Sequence, residues 1–90
     1  MDTLQIFRSQ VLAEGYDEVA EVRWQPLFHT QTHTHPFDVY ALVAEGELTL
    51  HREGHSEHYA QGDRFRLARN TEHHESYGER GATLWVARMH

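Results

Sequence analysis

The spacing of apolar residues beyond residue 18 constrains the fold most strongly. From there onward, short runs rich in Val, Leu, Phe, Tyr and Trp are separated by Gly, Asn or Pro. Runs of this length and composition, broken at regular intervals by turn residues, are typical of a β-sandwich or barrel. The pattern predicts eight strands, over residues 19–25, 27–32, 39–44, 47–52, 57–59, 64–67, 73–77 and 83–88.

Turn signals separate these runs, and they fit consecutive antiparallel hairpins. The predicted turns lie at residues 45–46, 53–54, 61–63, 70–71 and 78–81. Because strands joined by short turns usually pair with each other, order along the chain is expected to approximate neighbourhood in space.

The N-terminal segment has a different, helical pattern. Asp2 or Thr3 can cap a helix start, Phe7 and Val11 share one helical face, and Gly15 is a suitable end. We therefore predict one helix within residues 1–15 and no second helix of ordinary length.

The chain length indicates a single core. A chain of 90 residues is too short for two independent cores. We expect one domain over residues 1–90, with the helix in 1–15 and a barrel in 19–88. Because such a core is thin, we also expect further burial by homodimerisation.

Composition excludes several classes of function. The formal net charge is −6, and no Lys/Arg cluster provides a field that attracts phosphates, so no nucleic-acid partner is expected. No apolar run approaches the roughly 20 residues that cross a bilayer, and the N-terminus lacks signal-peptide features. We therefore expect a cytoplasmic protein with no membrane partner. Cysteine is absent, which leaves any metal to nitrogen and oxygen ligands.

Histidine is unusually frequent, with nine residues in the chain. His33 and His35 are two residues apart, so a strand would point them to the same face, and a regular strand would add His29 and Gln31. Such a pair is as consistent with surface polarity as with metal binding. Four others lie near a turn or the terminus and are adequately explained as solvated side chains: His51, His55, His58 and His90.

Two segments of the chain resemble the two cupin motifs. Residues 33–46 resemble the first motif, including its closing glycine at Gly46. Residues 62–73 are similar to the second, in which a Gly-Asp pair opens a strand and a histidine, here His73, follows a tight turn. The likeness covers residues 19–88. It implies an all-β fold, the cupin double-stranded β-helix or jelly-roll barrel, preceded here by the short N-terminal helix.

The resemblance also implies a ligand set of His33, His35 and His73. Three imidazoles suit Zn, Fe, Ni, Mn or Cu better than Mg or Ca. The position where the family commonly has a metal-binding glutamate falls on Val39, which cannot ligate. Asp38 is one residue earlier; it is either an extra ligand turned inward by a bulge or an Asx-type turn residue.

Two further polar residues are placed near these histidines by strand alternation. Glu75 lies two residues beyond His73 and should face the same interior, as a fourth ligand, an acceptor for an imidazole N–H, or a catalytic general base. Its alternative role is a salt bridge with Arg64 or Arg66. Gln31 either hydrogen-bonds a bound water or small ligand or lies in solvent.

Three hypotheses of function remain open on this basis. The chain is a metal-dependent enzyme acting on a small organic molecule, a non-catalytic module that binds or senses a metal or small ligand, or a barrel that has lost its metal. The same fold carries unrelated chemistries, so the fold does not choose among them. The aromatic residues are expected to form the core or a dimer interface: Trp24, Phe28, Phe37, Tyr40, Phe65, Tyr77 and Trp85.

Overall fold

The structure, a computed structural model, describes residues 3–90 as one helix followed by five strands. Asp2, one of the two predicted capping residues, lies outside this range. The elements are α1 (Thr3–Ala13), β1 (Glu18–Trp24), β2 (Asp38–Arg52), β3 (His55–Ala60), β4 (Arg64–Leu67) and β5 (His73–Met89).

The five strands form one antiparallel sheet organised around its two longest members. The order is β1-β5-β2-β3, and β4 pairs with the first part of β2. β2 and β5 pair along nearly their whole lengths, from Asp38 opposite Met89 to Arg52 opposite His73. Both halves of β2 therefore have a second partner, because β4 flanks the first half and β3 the second, whereas β1 flanks only the end of β5.

Two predicted turns are wrong, because the chain passes through both as strand. β2 continues through residues 45–46 and β5 through residues 78–81. The β2–β5 register shifts on both sides of Gly46, which marks bulges in place of a reversal. Gly46 and Gly81 have φ angles of 78° and 68°, and a Cβ on Gly46 would collide with the Gly81 carbonyl. The glycines therefore allow two bent strands to approach closely.

The predicted strand over residues 27–32 is also wrong. The segment between β1 and β2 is irregular, and Leu27 has a φ of 58°, which interrupts extended backbone. Two isolated bridges connect the segment to β5, one between His29 and Ser76 and one between His33 and His73. A regular strand would place His29 and His33 on the same face. Their bridge partners Ser76 and His73 lie on opposite faces of β5, so the predicted alternation from His29 to His33 does not hold.

Apolar side chains pack on both faces of the sheet. The inner cluster lies between its curved halves and contains Val39, Ala41, Val43, Leu48, Leu50, Phe65, Leu67, Tyr77, Ala82 and Leu84. The outer cluster joins α1 to the sheet and contains Phe7, Val11, Tyr16, Tyr40, Leu42 and Ala87. On the inner face of β5, His73 and Glu75 are the buried polar residues that accompany the apolar ones.

Within residues 3–90, no helix combines the length and the apolar character required to cross a bilayer.

Candidate metal centre

Three histidines from two separated parts of the chain converge at one end of the inner cluster. The candidate ligand nitrogens of His33, His35 and His73 all lie within 4.8 Å of one another. The His33 and His73 backbones exchange two hydrogen bonds, of 2.9 and 3.1 Å, which attach the irregular segment to the start of β5. The imidazole of His73 is only 2% exposed, whereas His33 and His35 are half-buried.

Backbone carbonyls determine which ring nitrogen is available in two of these histidines. The Nδ1 of His33 lies 2.7 Å from the Gln31 carbonyl, and the Nδ1 of His73 lies 2.9 Å from the Thr71 carbonyl. A carbonyl only accepts, so each Nδ1 carries the proton and donates, leaving a lone pair on Nε2. This is the arrangement of metal-binding histidines, whose second nitrogen commonly donates to a carbonyl or carboxylate.

The centre passes a direct test of fit to a metal ion. The Nε2 of His73 is buried and has no hydrogen-bond partner among the described residues. A buried polar atom without a partner is rare, because its loss of water is uncompensated. A cation shared with His33 and His35 would compensate it, so these residues fit such a group.

The neutral form of His35 is favoured as well. Burial lowers the pKa of its imidazole below the ordinary value, and nearby His33 and His73 lower it further. Because a histidine binds a metal through its neutral form, this environment favours ligation.

Glu75 lies beside the histidines, where strand alternation placed it. Its carboxylate is largely buried, and Oε1 is 3.6 Å from the Nε2 of His73. The hydroxyl of Thr30 donates to Oε2 at 2.8 Å and accepts the Glu75 backbone N–H at 2.9 Å. Thr30 therefore holds one carboxylate oxygen and leaves the other facing His73.

The expected alternative for Glu75, a salt bridge to an arginine, is absent from residues 3–90. Arg64 instead donates to Gln10 and to the Tyr40 hydroxyl, and Arg66 pairs with Glu14. Both arginines lie on the outer face of the sheet, toward α1.

The other two candidates are placed outside the histidine group. Asp38 accepts hydrogen bonds from the backbone N–H of Arg69 at 2.8 Å and from its Nε at 3.3 Å. These hydrogen bonds, the side-chain ones first, hold the pKa of Asp38 below its usual value. The Gln31 side chain is exposed, and the residue contributes only its carbonyl, to His33. Val39, at the family's glutamate position, is buried in the inner cluster.

A cavity of about 150 Å³ opens beside the three histidines. Glu75 and Tyr77 follow His73 along its lining, Arg88 adds a cationic side chain, and the remaining walls are apolar: Val22, Trp24, Phe37, Val39, Ala41, Phe65, Leu67, Leu84 and Val86. A larger groove of about 560 Å³ runs past the start of α1, but none of the histidines lines it. Of the three, two other grooves include His73 alone or His33 alone, whereas the smaller cavity is lined by all three histidines and can present a ligand to the whole group.

Thr30 is the site residue that sequence reasoning missed. It contacts Glu75 across 45 residues of sequence, from a segment predicted to be a regular strand. A threonine in such a run indicates only β-propensity, so no local signal identifies it as a hydrogen-bond partner.

Comparison with protein-family profiles and with curated protein sequences finds no match to this chain. Solved structures do match. A cupin-2 domain protein from Shewanella frigidimarina has a TM-score of 0.68 and 15% identity, over 80% of this chain and 69% of that one. KdgF from Halomonas sp. has a TM-score of 0.69 and 19% identity, over 80% and 68%.

A protein of unknown function from Rhizobium leguminosarum matches over 88% of both chains, with a TM-score of 0.71 and 17% identity. Identities this low show a shared fold and leave the chemistry to be argued from the residues. The prediction of an all-β jelly-roll barrel with a short N-terminal helix is confirmed.

Proposed function

We propose that this chain, which has the cupin fold, binds one divalent transition-metal ion through His33, His35 and His73. The observation that carries the proposal is the buried Nε2 of His73, which has no hydrogen-bond partner within residues 3–90 and lies within reach of the other two rings. Carbonyl acceptors on the Nδ1 atoms of His33 and His73 support it, because they keep Nε2 free for an ion.

The donor set favours particular ions. Three imidazoles suit Zn, Fe, Ni, Mn or Cu, whereas Mg and Ca prefer shells of oxygen. Glu75 supplies a carboxylate from β5 beside the three ligands, where Val39 supplies none, and its free Oε1 is 3.6 Å from the Nε2 of His73. Thr30 holds the opposite oxygen, so the carboxylate is oriented before any ligand arrives.

The proposal extends to turnover of a small organic molecule. A bound divalent ion supplies Lewis acidity and lowers the pKa of a coordinated water. The chain's own contribution is a cavity whose apolar walls exclude water, with Glu75 as the group that accepts or returns a proton through Oε1. Because a cavity adjoins the histidines, we favour turnover of a small molecule over a site that binds a metal ion and no substrate.

Metal content after reconstitution tests the proposal. Untagged protein is loaded with Zn²⁺, desalted and analysed for metal beside His73→Ala and His74→Ala variants. His74 is the matched control, because its ring stacks on His51 at 4.3 Å, away from the cavity. We expect about one equivalent in the parent and in His74→Ala, and less than about a tenth in His73→Ala.

A thermal melt provides a second readout. An ion that binds only the folded form at 100 times its Kd adds about 2.7 kcal/mol of stability, so EDTA should lower the Tm of the parent and leave that of His73→Ala unchanged. Less than about a tenth of an equivalent in the reconstituted parent would identify the chain as a barrel that has lost its metal.

A further inference from the structure

The hydroxyl of Tyr77 takes no part in the hydrogen bonds of the described residues. Tyr77 is 3% exposed, and its hydroxyl is buried without a partner among residues 3–90. Phenol hydroxyls that are buried in proteins usually find a partner, because an unpaired donor loses its hydrogen bonds to water without replacement. A missing partner beside a cavity therefore points to a ligand.

Packing holds the ring of Tyr77 in the wall of the cavity. The ring of Tyr77 stacks on Trp24, with centroids 5.1 Å apart and planes at 16°. Tyr77 also follows His73 and Glu75 on the inner face of β5, and all three line the same cavity. Alternate residues of a strand are about 7 Å apart, so the backbone of Tyr77 lies roughly 13 Å beyond that of His73, and its side chain adds a second polar group to the cavity wall.

The surroundings of the Tyr77 hydroxyl determine which chemical group it can bind. Burial raises the pKa of Tyr77, and the Glu75 charge raises it further, so the residue remains a neutral donor. Next to it the walls are apolar, and Glu75 would repel an anion. The acceptor beside Tyr77 is therefore an uncharged oxygen. An anionic group is favoured at the histidine end, where the bound cation and Arg88, which lines the cavity and acts on His35, would together offset the charge of Glu75.

We propose that the cavity binds a small organic acid whose carboxylate lies at the three-histidine centre and whose second, uncharged oxygen accepts a hydrogen bond from Tyr77. This inference rests on the proposed metal centre. The volume of about 150 Å³ limits the size. A cavity of this size admits a short carbon chain with its oxygens and excludes larger molecules.

The test compares acids that differ by one ketone oxygen. Co²⁺-loaded protein is titrated with 4-oxopentanoate against pentanoate and with 5-oxohexanoate against hexanoate, and binding is followed by visible absorption of the cobalt. We expect at least one oxo acid to bind the parent about tenfold more tightly than its matched acid. In Tyr77→Phe this preference should disappear, while the affinity for the plain acid stays within about twofold.

A melt of the metal-free proteins distinguishes a ligand-binding hydroxyl from a structural one. Removing an unpaired buried hydroxyl should stabilise the empty protein, so Tyr77→Phe should raise the Tm by about 4 °C or more. Tyr40→Phe is the matched control, because that hydroxyl accepts a hydrogen bond from Arg64 at 3.3 Å and its removal should not raise the Tm.

Each failure has a distinct meaning. Stoichiometric Co²⁺ without any oxo-acid preference that depends on Tyr77 overturns this inference and leaves the metal centre standing. A lower Tm for metal-free Tyr77→Phe shows that the hydroxyl is a structural partner, for example to an enclosed water, and also overturns the inference. Failure to bind Co²⁺ overturns the proposed function and this inference with it.

Discussion

At the scale of single residues, the candidate centre depends on short hydrogen bonds with residues that are not themselves proposed as metal ligands. Carbonyls at Gln31 and Thr71 orient two imidazoles, and the Thr30 hydroxyl holds the Glu75 carboxylate. These contacts restrict side-chain rotation before an ion or ligand arrives, which lowers the entropic cost of binding.

Replacement of Thr30 by valine tests this orientation. Thr30→Val keeps the shape of the side chain but removes both contacts of the hydroxyl with Glu75. We expect a loss of about 1–3 kcal/mol in the free energy of unfolding, because the Glu75 N–H and Oε2 lose their partner. Metal affinity should fall about 10-fold or more, as measured by competition with a chelating dye.

The matched control for this variant is Thr32→Val. Thr32 is exposed in the same irregular segment, and within residues 3–90 it makes no hydrogen bond to Glu75. Equal metal affinities for the two variants would contradict the positioning role of Thr30.

Asp38 should contribute to acid sensitivity and not to metal binding. Hydrogen bonds from Arg69 lower the pKa of Asp38 in the folded protein, so its contribution to stability is full above the unfolded pKa of about 3.9. That contribution is lost as the pH falls through the folded pKa. Thermal melts should show parent and Asp38→Asn differing most above pH ~4 and converging in more acidic buffer.

Metal content provides the control for Asp38. The carboxylate faces Arg69 and is separate from the three-histidine group, so Asp38→Asn should retain the zinc stoichiometry of the parent. A loss of zinc would show that Asp38 turns inward when the ion binds.

At the scale of elements, the two long strands bend at bulges. Both strands continue through the glycines near their middle. β2 and β5 therefore each contribute side chains to the wall around the cavity and to more distant parts of the core. A bulge adds a residue to one strand and increases local twist, which allows a long pair to curve without losing its partner.

Alanine at Gly46 tests the close approach at this bend. Gly46 and Gly54 both have positive φ, near 80°, so alanine is strained at either position. At Gly46 the new Cβ also collides with the Gly81 carbonyl, whereas nothing lies within 4 Å at Gly54. We expect Gly46→Ala to lose about 1–3 kcal/mol more than Gly54→Ala in urea denaturation. Similar losses would mean that the strands separate easily at the bulge.

At the scale of the whole molecule, the sheet separates two apolar clusters that have different structural roles. The inner cluster encloses the cavity, and the outer cluster attaches α1 through Phe7 and Val11, which are fully buried. The single domain over residues 1–90 and the homodimer stay predictions.

Truncation of Phe7 should therefore affect stability and not the site. Phe7→Ala leaves a cavity between α1 and the sheet, where the ring packs edge-on against Tyr40 at 5.6 Å, so we expect a loss of about 3–5 kcal/mol. The exposed Leu12 is the control, and Leu12→Ala should change stability by less than about 0.5 kcal/mol. Folded Phe7→Ala should keep its metal affinity, and a large fall would show that the two clusters are coupled.

Sequence alone determined the features that depend on near neighbours along the chain. The N-terminal helix, the position of β4 and the shared face of His73 and Glu75 all follow from helical or strand periodicity. The cupin resemblance added the jelly-roll fold and the His33, His35 and His73 set, which the structure brings together.

Only the tertiary structure decided the features that depend on pairing across the sheet. Glycines at 46 and 81 appear in sequence as turn residues, but the β2–β5 pairing makes them sites of close approach within strands. Thr30 meets Glu75, and Asp38 meets Arg69, across 45 and 31 residues of sequence. Such contacts depend on strand register and sheet curvature. Local propensity reflects only a few neighbouring residues, so it does not determine either of them.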